Sequence, residues 1–249
     1  MKKILLTLLL LFIVTLAGCT ELKRVKVLLP HSLVGMKKVS SHFYVEKSMT
    51  EENQKKIEDT IPEAKEYVAD IYGNVITEPI IYACQTKDCA NSLGLVGKEI
   101  GVRLLGHIIL TNRAFDKTLA RGLISHEWSH EELYKRIGGF WHWYKEMPMW
   151  FDEGLATLTM QKISRYDKRA WQRIIDEKIP YPKQGELVSW SQWNKSCQIY
   201  LIDESIVVPY ATSRHIIFPW YNKVGQQGLV RLLDGIKNGE KFEELYKKE

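Results

Sequence analysis

The segment His126-Glu127-Trp128-Ser129-His130 constrains this chain more than any other stretch. Leu119, Leu123, Ile124 and Leu133 flank it at helical spacing and predict a helix over 116–137. Residues four apart share a helix face, so the two imidazoles project together. Two imidazoles on one face can hold a single zinc ion. Glu127 falls beside them, placed to take a proton from a water at that ion. Two surface histidines on an amphipathic helix would be the plainer account of the same five residues. The downstream sequence weighs against it.

A hydrolytic zinc site needs a third protein ligand and an open position. The pattern H-E-x-x-H-x-x-G-x-x-H fails here, because Leu133 occupies the glycine position and Arg136 the last histidine position. Residues 148–156 offer carboxylates instead: Pro148-Met149-Trp150-Phe151-Asp152-Glu153-Gly154-Leu155-Ala156. The Trp-x-x-Glu-Gly-x-Ala core resembles the third-ligand segment of the gluzincin metallopeptidases, the clan that includes thermolysin and aminopeptidase N. The resemblance implies His126, His130 and Glu153 as zinc ligands and Glu127 as general base. Asp152 is the local rival as ligand, or else orients a ligand histidine from behind.

Twenty-two residues separate His130 from Glu153, a longer gap than in aminopeptidase N relatives, and the aromatic loop Gly138 to Trp150 absorbs the excess. No Gly-x-Met-Glu-Asn segment precedes the motif, which argues against an aminopeptidase. Smaller members of the clan, loosely called peptidase MA-like, look closer. Val208-Pro209-Tyr210-Ala211-Thr212-Ser213-Arg214 and Gly225-Gln226-Gln227-Gly228-Leu229 are similar to their later helices. This likeness implies Tyr210 as the donor that steadies an oxyanion, ahead of Arg214 and His215. A core aromatic with a satisfied hydroxyl is the other reading of Tyr210. It also implies that the strand Gly106 to Thr111 is an edge that pairs with an extended substrate.

The N-terminus reads as an export signal. Met1-Lys2-Lys3 precedes an apolar run from Ile4 to Leu16, too short for a comfortable membrane span. Leu16-Ala17-Gly18-Cys19 resembles the bacterial lipobox, which implies cleavage before Cys19 and acylation of its thiol. Acyl chains would tether the protein to a membrane surface without a spanning helix. Thr20 in place of Asp favours the outer over the inner membrane. In an oxidising envelope Cys84 and Cys89 could close a small disulfide loop, and Cys197 is left as a small buried hydrophobe. The net charge of +5 is mild and has no Arg-rich block, which speaks against nucleic acid as a partner.

Further helices are expected over 51–72 (kinked or split at Pro62), 150–164, 167–176, 208–223, 226–237 and 240–248. Strands are expected at 42–46, 80–83 and, as one or two, 101–111. Residues 20–40 read as a tether and a first irregular strand. Strands first and helices later predict an α+β fold: an N-terminal mixed sheet with the metal-binding helix, then a mostly helical part. The organisation is a signal peptide (1–18), a tether (19–40) and a zincin-like domain (41–249). The aromatic run 138–144 could line a pocket, dip into lipid or pack over the metal helix. His31, His42, His107 and His142 read as incidental. The expected function is zinc-dependent peptide hydrolysis in the cell envelope, probed against peptide or protein substrates. The alternatives are a non-catalytic zincin-fold lipoprotein acting as a binding or assembly module, and amide cleavage of a cell-wall component.

Overall fold

The computed structural model describes residues 23, 25–95, 100–160, 168–203 and 206–249. The expected signal peptide and Cys19 lie outside the described residues, as do 161–164 of the helix expected over 150–164. The fold is α+β, with a five-stranded mixed sheet and a mostly helical remainder. Two compact units divide the chain, one running to Glu58 and resuming over Pro79–Asp116, the other made of Asp59–Glu78 and Lys117–Glu249.

The first unit is built on the sheet. β1 (Met36–Lys38) pairs antiparallel with β2 (Phe43–Glu46), so part of the stretch expected as a tether joins the sheet. The helix α1 (Glu51–Glu58) follows, started by Thr50, whose hydroxyl accepts from the Asn53 amide at 3.3 Å. Ser48 donates to Glu46. The chain then passes through α2 (Ile61–Tyr72) of the second unit, with Pro62 in its first turn. There proline costs no hydrogen bond, so the expected helix splits at this point. β3 (Ile80–Ala83) pairs parallel with β2. Residues 87–92, where no element is expected, form a short helix, α3 (Lys87–Ser92), capped by Thr86. The Cys84–Cys89 disulfide fastens it to the end of β3.

β4 (Gly101–Leu104) and β5 (His107–Leu110) form a hairpin. Leu105 and Gly106 both have positive φ, 50° and 78°, the backbone a two-residue turn needs to match strand twist. The sheet order is β1-β2-β3-β5-β4. β5 is therefore interior, and the expectation that it forms an edge strand is corrected: β4 is the edge. The burial pattern explains why, since all four β5 residues are buried whereas those of β4 are only half-buried.

The second unit is helical. α4 (Lys117–Arg136) carries the His126–His130 motif. The presumed aromatic loop is in fact a short helix, α5 (Phe140–Glu146), entered through Gly138 and Gly139 at φ 88° and 99°. All eleven residues of α6 (Met149–Thr159) are buried. α7 (Lys168–Asp176) and α8 (Trp190–Ile199) follow. α8 was not expected, although Ser189 and Gln192 form a reciprocal capping box readable as S-x-x-Q. A small ribbon of β6 (Leu201–Asp203) and β7 (Ile206–Val207) leads to α9 (Val208–Lys237). Gly225 breaks α9 at φ 62° and ψ −168°, between the two helices expected there. α10 (Phe242–Lys248) closes the chain.

The burial of α6 has a specific cause. A Cβ at Gly154 would lie 3.0 Å from both the Ile217 Cγ2 and the Ser213 carbonyl, so the glycine lets α9 approach closely. Phe151, three residues before Gly154, packs against Phe242, Tyr246 and Trp220 with ring centroids 4.9–6.0 Å apart. Burying an aromatic such as Phe151 contributes about 1.5–3 kcal/mol.

Candidate metal centre

The site lies within the helical unit, on α4 and α6. The Tyr72 hydroxyl on α2 lies 3.1 Å from the Ser129 carbonyl and 2.9 Å from its hydroxyl, which fixes α4 against α2 between the two motif histidines. Burial pushes the Tyr72 phenol up, so it stays protonated. Ser125 donates to the Thr159 carbonyl at 3.1 Å and ties the end of α6 to α4. The backbone amides of Met149 and Trp150 bond to the carbonyls of Val188 and Leu187, which anchors the start of α6.

This framework brings His126, His130 and Glu153 together as a group that could hold a metal ion. The Nε2 atoms of the two histidines are 3.2 Å apart. Glu153 Oε2 lies 3.4 Å from His126 Nε2 and 3.6 Å from His130 Nε2. Four ligands at about 2.0–2.2 Å around a tetrahedral cation stand about 3.3–3.6 Å from one another. The three atoms thus make a triangle close to one face of such a tetrahedron. Glu153 Oε2 is buried and makes no hydrogen bond among the described residues. A carboxylate oxygen left this way is costly unless a cation completes it. The donor set, its spacing and its orphaned oxygen all fit a small divalent ion.

Asp152 is not the third ligand. Its Oδ1 accepts from His130 Nδ1 at 2.6 Å, which turns Nε2 of that ring toward the triangle. Its Oδ2 accepts from the Trp143 indole nitrogen at 2.7 Å. Burial alone would depress the His130 imidazole, but the carboxylates of Asp152, Glu153 and Glu127 outweigh it and lift the group to about 10. Negative charge therefore exceeds positive charge in this buried spot. Glu127 is half-buried on the turn that carries His126.

Tyr210 comes close. Its ring centroid lies 5.8 Å from that of His126, and Trp193 packs edge-on against it at 5.0 Å. Its rivals face other partners: His215 stacks on Trp171 at 3.9 Å and Arg214 lies over Phe218. Cys197 is free and half-buried, and burial, followed by the charge of Glu153, pushes its thiol up to about 12. His31, His42 and His107 belong to the first unit and bond to Tyr82, Ser41 and the Leu105 carbonyl. His142 sits against Gly138, outside the ligand group.

Two supporting residues were not legible in the sequence. Trp143 belongs to a run of aromatics, and nothing in the run singles it out. Glu132 looks like an ordinary surface glutamate of a helix, yet it is fully buried. Its carboxylate accepts from the amides of Ile76 and Thr77, the Thr77 hydroxyl and Arg136 Nε at 2.7–3.1 Å. Trp128, inside the motif, donates to that same Thr77 hydroxyl at 3.0 Å. Among the described residues no helix is long and apolar enough to cross a membrane. No protein-family model matches the chain, and neither does any curated protein.

Proposed function

We propose that this chain is a zinc-dependent peptidase of the gluzincin type with a zincin-like fold, exported to a bacterial envelope and tethered there by lipid on Cys19. The observation that carries the reading is the buried His126–His130–Glu153 triangle with the unpartnered oxygen of Glu153. Two imidazoles and one carboxylate suit zinc and leave a position open. Zn2+ held there supplies Lewis acidity and brings the acidity of a water near neutrality.

The chain's own residues do the rest. Glu127 takes the proton of the attacking water and hands it to the leaving amine nitrogen. Tyr210 donates its hydroxyl to the substrate carbonyl oxygen as that oxygen gains charge. Asp152 holds the His130 ring so that Nε2 faces the ligand triangle. The substrate class is a peptide or protein amide.

Metal analysis of the purified chain should find one zinc per molecule, removable by chelator. Glu127→Gln should keep the metal and lose turnover by about 10²–10⁴-fold. Comparing the envelope peptides of cells carrying wild type or Glu127→Gln identifies the substrates. A chain that takes up no zinc, or a Glu127→Gln variant with undiminished turnover, overturns the reading.

A further inference from the structure

We propose that Trp143 is a positioning residue for the metal ligand His130, acting through Asp152, so that the short aromatic helix α5 helps to set how tightly the metal is held. The inference rests on the metal-site reading above. Its observation is separate: an unbroken line of hydrogen bonds from Trp143 Nε1 to Asp152 Oδ2 at 2.7 Å, and from Asp152 Oδ1 to His130 Nδ1 at 2.6 Å.

The chemistry of the three groups gives the line a direction. Indole N–H can only donate, and an ionised carboxylate can only accept. Trp143 therefore donates to Asp152, and His130 donates to it from Nδ1, which leaves Nε2 to face the ligand triangle. The terminal torsion of an aspartate is soft and roughly two-fold. A donor on each of its two oxygens fixes the plane of the Asp152 carboxylate. Asp152 is buried, so solvent is poorly placed to supply either donor.

The backbone around Trp143 is built to hold the indole in place. Its amide bonds to the Gly139 carbonyl at 3.1 Å, and its carbonyl accepts from Met147 at 3.0 Å. Gly139, in turn, donates to the Tyr134 carbonyl of α4 at 2.9 Å. Gly138 and Gly139 both have positive φ, which makes the tight reversal from α4 into α5 possible. Phe140, Trp141 and Tyr144 of the same helix are exposed, so Trp143 differs from its aromatic neighbours in turning inward to Asp152.

The test is a Zn2+ titration against a competing chelator, paired with proton NMR of the metal-free full chain. Trp143→Phe should weaken zinc binding by about 10–100-fold, the usual effect of losing an outer partner, with an unchanged unfolding midpoint. Trp143→Gln, which restores an N–H donor, should recover most of the affinity. In the wild type, the His130 Nδ1–H and Trp143 indole N–H signals should exchange slowly with water. In Trp143→Phe, the His130 signal should broaden. Equal zinc affinity in wild type and Trp143→Phe overturns the proposal. So does a wild-type Trp143 N–H that exchanges as freely as that of exposed Trp141, a measurement that stands even if the Phe variant does not fold. Failure of the wild type to bind zinc would overturn the functional reading together with the expected effect on metal affinity, while the two N–H signals would still decide whether Trp143 and Asp152 hold the His130 ring.

Discussion

Glu132 and Glu153 are both carboxylates buried in the helical unit, and the fold treats them in opposite ways. Glu132 is enclosed by donors from Ile76, Thr77 and Arg136. Its charge is answered entirely by the chain, and the result is a clasp that holds α4 to the segment after α2. Among the described residues Glu153 Oε2 has no hydrogen-bond partner, only two imidazole nitrogens at 3.4 and 3.6 Å. Its charge is left for something outside the chain to answer. One buried carboxylate serves structure and the other belongs to a group that could hold a metal ion, and the hydrogen-bond inventory tells them apart. Residue type and burial do not.

Substitution at each carboxylate can break or sharpen this contrast. The largest effect is expected for Glu153→Ala. If zinc binding is worth about 10–16 kcal/mol over its ligands, losing one should cost about 3–5 kcal/mol, or about 10²–10⁴-fold in affinity by competition titration. The same metal-free variant should unfold no more easily than wild type, because the buried Oε2 makes no hydrogen bond among the described residues. Glu132→Ala should do the reverse. It strands the Ile76 and Thr77 amides and takes the carboxylate from Arg136, so chemical denaturation should show a loss of about 3–5 kcal/mol. Zinc affinity measured on the folded fraction should change far less. A Glu153→Ala variant that loses stability and keeps zinc would erase the distinction.

The smallest effect concerns Glu46, a carboxylate of the sheet unit that resembles Glu132. It accepts from the amides of Gln85 and Thr86 and from the Thr86 and Ser48 hydroxyls at 2.7–2.9 Å. Partial burial would raise its pKa, but these donors outweigh it and lower the group below its ordinary 4.5. A depressed pKa contributes stability that is present above 4.5 and is lost as the pH falls through the lower folded value. Glu46→Gln should cost about 1 kcal/mol at neutral pH, given its partial exposure. It should also flatten the acid limb of stability in urea unfolding below pH 4.5. An unchanged acid limb would show that Glu46 is solvated and does not belong with Glu132.

Much of the fold was readable where one local force dominates. The apolar period placed α4 within a residue at each end, and Pro62 marked the split between α1 and α2. Gly225 marked the break in α9. The failures came where the chain is short of periodic signal. α5 and α3 are too brief to show a stripe, and aromatic or turn-forming residues there read as loop. The interior position of β5 depends on which strands it meets, which its own sequence does not encode.

The order of residues along the chain already determined that His126 and His130 share a helix face, because that follows from backbone geometry and a spacing of four. It also nominated two adjacent carboxylates downstream. Only tertiary structure could choose between them. Adjacent helix residues point about 100° apart, and the close approach of α9 at Gly154 fixes the roll of α6. That roll sends Glu153 to the imidazoles and Asp152 to the far side of His130, where Trp143 meets it.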